Sequence, residues 1–481
     1  MGGSDKKIKA GIGNGCAVYK KCGGCQLQNM TYDEQLHCKM GKLIALLGKY
    51  GHVSEIVPME NPVHYRCKVQ AAFGQGRTGI ISGVYQSSTH KIVPIDRCMI
   101  EDETADRIVV TVRTLMESFR LKPFNENTMS GFLRHVLVRR GYYSGQVMLV
   151  LVTGSAEFPS RRAFLAELLR LHPEITTVVQ NINANFTSLV LGDRSIVLYG
   201  EGYIEDTLLG TRFRISPKSF YQVNPQMTEL LYAKAIGLLS LTGKERVIDA
   251  YCGTGTIGIL AARSAGQVIG VELNGDAVRD AIDNAARNDI RNITFVKADA
   301  SDFLVEMAQE GEKADALIMD PPRAGSDVRF MSSAVKMGPR NIVYVSCNPE
   351  TLARDLRWLT QHGYKVRTIQ PFDMFPHTMH VETICLLVLR NPVTHVNIDV
   401  DVEELVQDKR GQATYEQIRD YVMEQTGLHV TNLNIAQTKR KCGIIERENY
   451  NLPKSEDSKQ PNCTKEKEKA IKEAFKHFGM I

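Results

Sequence analysis

The sequence predicts a doubly wound α/β sheet over residues 240–392, preceded by a β-rich α+β region and followed by a small helical extension. From residue 240, the segments "RVIDAYC", "QVIGVE", "ITFVKAD", "ADALIMD" and "NIVYVSC" alternate with helical stretches, which implies right-handed crossovers and a parallel sheet. The first of these segments runs into Gly253, Gly255 and Gly258, spaced G-x-G-x-x-G, and the second ends in Glu272. Before residue 215 the chain instead carries short β-branched segments separated by Gly, Asn and Ser.

Composition bounds what this fold can serve. The chain has 481 residues, 43% of them hydrophobic, enough for two or three domains. Lys and Arg exceed Asp and Glu by 59 to 54, a net charge of +5 that permits a polyanionic partner without requiring one. No N-terminal apolar stretch is present, and runs such as "VMLVLV" are too short to span a bilayer, so the expected location is the cytoplasm. Thiols stay reduced there, which makes the eleven cysteines metal ligands, nucleophiles or core residues rather than a disulfide framework.

Three cysteines open the chain at Cys16, Cys22 and Cys25, spaced C-x5-C-x2-C in a Gly-containing loop that offers no core to fill. A loop of this kind can wrap an ion or cluster. Zinc ribbons draw their remaining ligands from a second C-x2-C pair, absent here, whereas iron–sulfur clusters accept a lone distant cysteine. Cys38, Cys67 and Cys98 can each supply it; Cys98, in a polar turn after "IVPID", is preferred. A radical enzyme would also carry three close cysteines, but its repeated βα barrel is not seen downstream.

The next segments, "YRCKVQAAFG", "GIISGVYQ", "HKIVPI", "RHVLVRR", "QVMLVLVTG" and "TTVVQNINA", read as strands, and "RRAFLAELLRLH" has helical spacing. Arg134, His135, Arg139 and Arg140 either contact phosphate or guard an edge strand.

In the α/β region, glycines at the first turn let a cofactor approach the backbone, and Glu272 can accept from both ribose hydroxyls. That fingerprint suits a nicotinamide dehydrogenase as well as an S-adenosylmethionine enzyme. The fourth strand ends in Asp320-Pro321-Pro322, where each proline gives up a backbone donor, a poor choice for packing and a good one for a rigid turn holding a base or cofactor edge. The fifth ends at Cys347, followed by Asn348-Pro349 and a helix. Glu382 interrupts the start of the last apolar strand, costly unless it is paired or used.

Taken together, "DPPRAG", "IVYVSCNPET" and "FDMFPHTMHVE", with "SFYQVNPQ" at residues 219–226, resemble the signature of the RNA uracil-5 methyltransferase family. The N-terminal cysteine set resembles the [4Fe-4S] site of the members that modify 23S ribosomal RNA, with Cys16, Cys22, Cys25 and Cys98 as ligands. The likeness covers roughly residues 16 to 390. It implies an S-adenosylmethionine-dependent methyltransferase domain and transfer of methyl to carbon 5 of a uridine.

In that chemistry a thiolate adds to carbon 6, carbon 5 attacks the sulfonium methyl, and a base removes the carbon 5 proton. The resemblance assigns the thiolate to Cys347 and the base to Glu382. It assigns cofactor binding to Gln222, Tyr251, Glu272 and Asp320 with the Gly253–Gly255 turn, and Asp299 to the adenine amino group. The helix after Cys347 is expected to favour the thiolate through its dipole.

The implied partner is RNA, 23S ribosomal RNA first, with neither DNA nor a membrane, and the protein acting as a monomer. A transfer RNA methyltransferase and a non-catalytic RNA-binding scaffold are the alternatives. Fifteen residues before Cys16 leave no room for the N-terminal β-barrel that relatives often carry.

The expected division is an iron–sulfur and RNA-binding part at 1–100, its β-rich completion at 101–239, the catalytic domain at 240–392 and a helical extension at 393–481. In that extension "ATYEQIRDYVMEQTG" reads as a helix, Lys439–Lys441 as a basic cluster, and Ile471, Ala474, Phe475 and Phe478 as one helix face. That last helix either binds RNA or docks on its own chain.

Overall fold

The computed structural model describes residues 16–86, 89, 91–187, 189–390, 415–442, 464–478 and 480. The chain divides into two compact units, Met1–Val396 and Asn397–Ile481.

In the first unit the β-rich region forms a seven-stranded sheet and a two-stranded one, Ile204–Leu208 with Thr211–Ile215. The spatial order of the larger is Ile92–Pro94, Ile80–Tyr85, Lys68–Gln75, Leu133–Arg140, Val147–Thr153, Ile175–Ile182 and Arg194–Tyr199. Neighbours run antiparallel except Val147–Thr153 and Ile175–Ile182, a parallel pair joined by the crossover helix Arg161–Leu171. Lys68–Gln75 pairs with Leu133–Arg140, so the sheet draws strands from both sides of residue 100.

Leu133–Arg140 lies at the centre of this sheet, and its arginines therefore do not guard an edge. They are not free for phosphate either. Arg134 is held by Glu126 at 2.8 Å and by the carbonyls of Asn185 and Thr187. Arg139 is enclosed, donating to the Ser219 carbonyl at 2.9 Å, and burial holds the His135 ring down at about 4. Of the four, Arg140 reaches solvent, paired with Asp102 at 2.9 Å.

The second seven-stranded sheet follows the order Ile293–Lys297, Gln267–Glu272, Arg246–Ala250, Ala316–Met319, Asn341–Ser346, Glu382–Leu389 and Tyr364–Phe372. The first five are parallel, as the alternating pattern predicts. Of the last two, Tyr364–Phe372 runs the same way and Glu382–Leu389 runs against the rest. Residues 373–381 contain no helix, so no crossover is available; the chain folds back and inserts Glu382–Leu389 antiparallel between its neighbours. The register pairs Ser346 with Thr383, which places Cys347 and Glu382 one step beyond, facing each other across the two strands. One apolar core runs from Leu137 and Val150 of the first sheet through Leu231 to Val247 and Val343 of the second.

Helix Tyr32–Leu47 begins in a capping box between Thr31 and Glu34. Its Lys39 is sealed against Asp373, both side chains fully buried at 2.5 Å, and also donates to the Phe375 carbonyl at 3.1 Å. Desolvation penalises this ammonium more than the Asp373 charge favours it. Lys39→Met leaves a buried carboxylate unpaired, and a loss of about 3–5 kcal/mol in urea unfolding is the expected result.

The second unit, among the described residues, packs helices Tyr415–Thr426, Asn432–Lys441 and Lys465–His477 around Ile418, Val422, Ile435, Ile471 and Phe475. The apolar face predicted for the last helix is used inside this unit. Lys441 of the basic cluster pairs with Glu468 at 2.5 Å. The segments 391–414 and 443–463 lie outside the described residues. No helix among the described residues is long and apolar enough to cross a membrane.

Candidate active site

Three turns at the carboxyl edge of the second sheet build the site. The first follows Arg246–Ala250, where Tyr251, Gly253 and Gly255 all take left-handed φ values of 64°, 55° and 78°. For tyrosine that conformation is strained and persists only where neighbours fix it. Here the Tyr251 ring lies 5.4 Å from that of Phe330, and its hydroxyl stands 3.4 Å from Ser326 Oγ. A Cβ on Gly255 would stand 2.8 Å from the Phe295 ring, whereas one on Gly253 would meet nothing within 4 Å. The backbone at Gly253 is thus open to a ligand.

Glu272 ends the neighbouring strand and accepts from the backbone of Gly253 at 3.1 Å and Asn274 at 2.7 Å, which aims its carboxylate over the glycine turn. Gln222 meets the Tyr232 hydroxyl, as does Thr256, and the charge of Asp320 reaches that hydroxyl too. Gln222, Asp320 and the glycine turn therefore surround one cleft. Asp299 caps helix Ala300–Gln309 by accepting from Ser301 and Asp302 at 2.9 and 3.1 Å, and its charge acts on Tyr251.

The second turn is Asp320-Pro321-Pro322-Arg323. Gly325 donates to the Pro322 carbonyl at 2.8 Å, and buried Asp355 accepts from Ser326 at 2.9 Å and from the Tyr344 hydroxyl at 2.7 Å. The third turn, Cys347-Asn348-Pro349, is tied to it. Asn348 caps helix Pro349–Gln361 through Glu350 at 3.1 Å, and its amide donates to the Arg323 carbonyl at 3.1 Å. Arg323 reaches both ring nitrogens of His380, at 3.0 and 3.1 Å.

Electrostatics sets the state of these groups. Burial pushes the Cys347 thiol up to about 11; Glu382 and Asp320 add to the rise, and the charge and hydrogen bond of Arg323 oppose it. Burial lifts Glu382 to about 8, with Asp320 raising it further and Arg323 lowering it, and burial alone lifts Asp320 to about 7. In the free protein, then, desolvation and two acids hold the thiol up against Arg323, and Cys347 stands one residue outside the helix cap. Enclosed carboxyls facing an open cleft suit a cationic ligand, and the sulfonium and ammonium of S-adenosylmethionine fit that requirement.

Sequence reading missed Tyr232, Arg323, His380 and Asp355. Arg323 and His380 sit inside segments already singled out, so the signal was present; Tyr232, on an otherwise apolar helix face, gave none.

The cysteines form a separate group. Gly23 takes a left-handed φ of 70° between Cys22 and Cys25. Burial raises the Cys22 thiol, with Cys16 and Glu101 adding to the rise, and lifts Cys25 to about 11, with Cys22 and Cys16 adding. Burial and then Glu101 raise Cys98, and both Cys25 and Cys98 act on Tyr65. Cys67 lies elsewhere, buried with its Sγ 3.7 Å from the Gln222 carbonyl. Among the described residues no group of three or more His, Cys, Asp or Glu side chains is close enough to hold a single metal ion.

Residues 192–390 match the family model described as tRNA (Uracil-5-)-methyltransferase. An uncharacterized RNA methyltransferase of Bacillus cereus is 41% identical over 377 residues, spanning 77% of this chain and 82% of that protein. One from Halalkalibacterium halodurans is 40% identical, over 78% and 83% of the two chains. The crystal structure of Pyrococcus abyssi tRNA (uracil-54, C5)-methyltransferase in complex with S-adenosyl-L-homocysteine superposes with a TM-score of 0.65 at 30% identity, covering 76% of this chain and 86% of that one.

Proposed function

Because the chain belongs to the RNA uracil-5 methyltransferase family, which uses S-adenosylmethionine, we propose that it methylates carbon 5 of a uridine through a covalent bond from Cys347 to carbon 6. The observation that carries this reading is the Ser346–Thr383 register, which sets the thiol against Glu382 beside Asp320.

Each residue then has a task. Arg323, the cation that opposes the rise of the Cys347 thiol, favours its anion. The thiolate adds to carbon 6, and the displaced π electrons move onto carbon 5 and the carbon 4 oxygen as an enolate. S-adenosylmethionine supplies the electrophilic methyl that carbon 5 takes. Ionised Glu382 removes the carbon 5 proton, and the returning electron pair expels the Cys347 thiolate. Glu272 holds the ribose of the cofactor, Gln222 and Asp320 its cationic end, and Tyr251 with Gly253 and Gly255 shapes the floor. The base reaches this cleft only when flipped from its stack, which favours an accessible loop uridine.

Our proposed target is 23S ribosomal RNA in the cytoplasm, a reading that rests on the cysteine set. The likeness to a transfer RNA enzyme favours transfer RNA as the second reading. We read Cys16, Cys22, Cys25 and Cys98 as ligands of a [4Fe-4S] cluster, a reading that rests on their spacing in the chain. Residues 1–239 would then hold RNA and residues 240–392 transfer the methyl.

Incubation with S-adenosylmethionine and 5-tritiated uridine in each RNA tests the function. Tritium release from one of them is expected, and release from neither removes it. For the cluster, anaerobic reconstitution with iron and sulfide is expected to give broad visible absorbance that Cys22→Ser loses. A colourless wild type refutes it.

A further inference from the structure

Gln26, directly after Cys25, bridges two segments. Its Nε2 donates to the Gly23 carbonyl between Cys22 and Cys25 at 2.8 Å, and its Oε1 accepts from the Met379 backbone at 3.2 Å. Leu27 donates its own N–H to the His377 carbonyl at 2.9 Å. Gln35 accepts from the His377 backbone at 2.8 Å and meets its ring at 3.1 Å, while the other ring nitrogen stands 2.9 Å from the Pro62 carbonyl. His377 has a left-handed φ of 68°, a strain that only surrounding contacts sustain.

Residues 377–379 belong to no strand; besides the turn bonds of Thr378 to the Phe375 carbonyl, these N-terminal contacts hold them. Immediately beyond come His380, which meets Arg323, and Glu382, which opens its strand. Arg323 is in turn the cation opposing the two acids at Cys347.

We propose that the cysteine loop is a positioning element of the reaction centre, with Gln26 carrying its placement through Met379 to the His380–Arg323 pair and to Glu382. The inference rests on the roles given above to Cys347 and Glu382. When Oε1 is lost, the Met379 N–H turns to water, residues 377–381 loosen, and the guanidinium leaves the sulfur. The cofactor end is untouched, because Glu272 and Gln222 stand on other turns.

Two variants separate this from general loosening. Gln26→Glu keeps an acceptor for Met379 and loses the donor to Gly23; Gln26→Leu loses both. In Gln26→Leu, amide hydrogen exchange across 377–382 is expected to quicken, and Cys347 alkylation, followed peptide by peptide without RNA, to slow about tenfold. Its kcat in tritium release is expected to fall about 10- to 100-fold with KM for S-adenosylmethionine unchanged.

Gln26→Glu, which keeps the Met379 bond and loses the tie to the cysteine loop, is expected to fall between Gln26→Leu and the wild type in all three. Exchange and alkylation at wild-type rates in Gln26→Leu, or equal impairment of both variants, overturns the proposal. If the wild type releases no tritium, the function reading fails alone, since exchange and alkylation still decide the positioning claim.

Discussion

Cys347→Ala is expected to lower methyl transfer by about 10⁴-fold or more while leaving S-adenosylmethionine affinity unchanged by calorimetry. The size follows from the chemistry, since uracil carbon 5 becomes nucleophilic only once carbon 6 carries the sulfur. The unchanged affinity follows from the layout, in which the residues proposed to hold the cofactor, Glu272, Gln222 and the glycine turn, stand on other loops. With the thiol pushed up to about 11, about one in ten thousand is ionised at pH 7 in the free protein. Cys347 alkylation should therefore climb nearly tenfold per pH unit between 7 and 10. Bound S-adenosylmethionine, being cationic, should raise it at fixed pH. Retained turnover in Cys347→Ala removes this residue as nucleophile.

Glu382→Gln is expected to halt the reaction one step later, after methyl transfer and before release. Glutamine fills the same space but takes no proton, so the carbon 5 hydrogen stays and the sulfur cannot leave. A protein–RNA adduct should persist on a denaturing gel, with turnover down about 10²–10⁴-fold. The same change removes one of the two acids that raise the thiol, so Cys347 should alkylate faster than in the wild type. Stability moves in a predictable direction as well. Burial raises Glu382 to about 8 in the folded state, so its contribution is complete below about pH 4.5 and is lost as pH rises through 8. Glu382→Gln should accordingly unfold at a higher temperature than the wild type at pH 9, and at a similar one at pH 5. An adduct-free variant with full turnover assigns the proton to another base.

Much of this site is legible in the sequence because its parts are local. Gly253 and Gly255 are forced by backbone shape, Gly258 by the close approach of Asp249, Asp320-Pro321-Pro322 by a rigid turn, and Cys347 by the junction of strand and helix. What sequence hides is set by distant partners. The thiol's environment depends on Glu382, brought alongside by an antiparallel return that periodicity cannot distinguish from another parallel strand. Arg134 and Arg139 read as surface groups by polarity, yet the order of strands places them inside. The helix Tyr32–Leu47 shows its docking only through Lys39 and Gln35, whose partners lie at Asp373 and His377.

The antiparallel return has one more consequence. The proposed nucleophile stands one residue past Ser346, and the proposed base opens the strand paired with it, so their alignment is set by the register of that ladder. A slip of one residue between these two strands would turn one of the two side chains to the opposite face of the sheet.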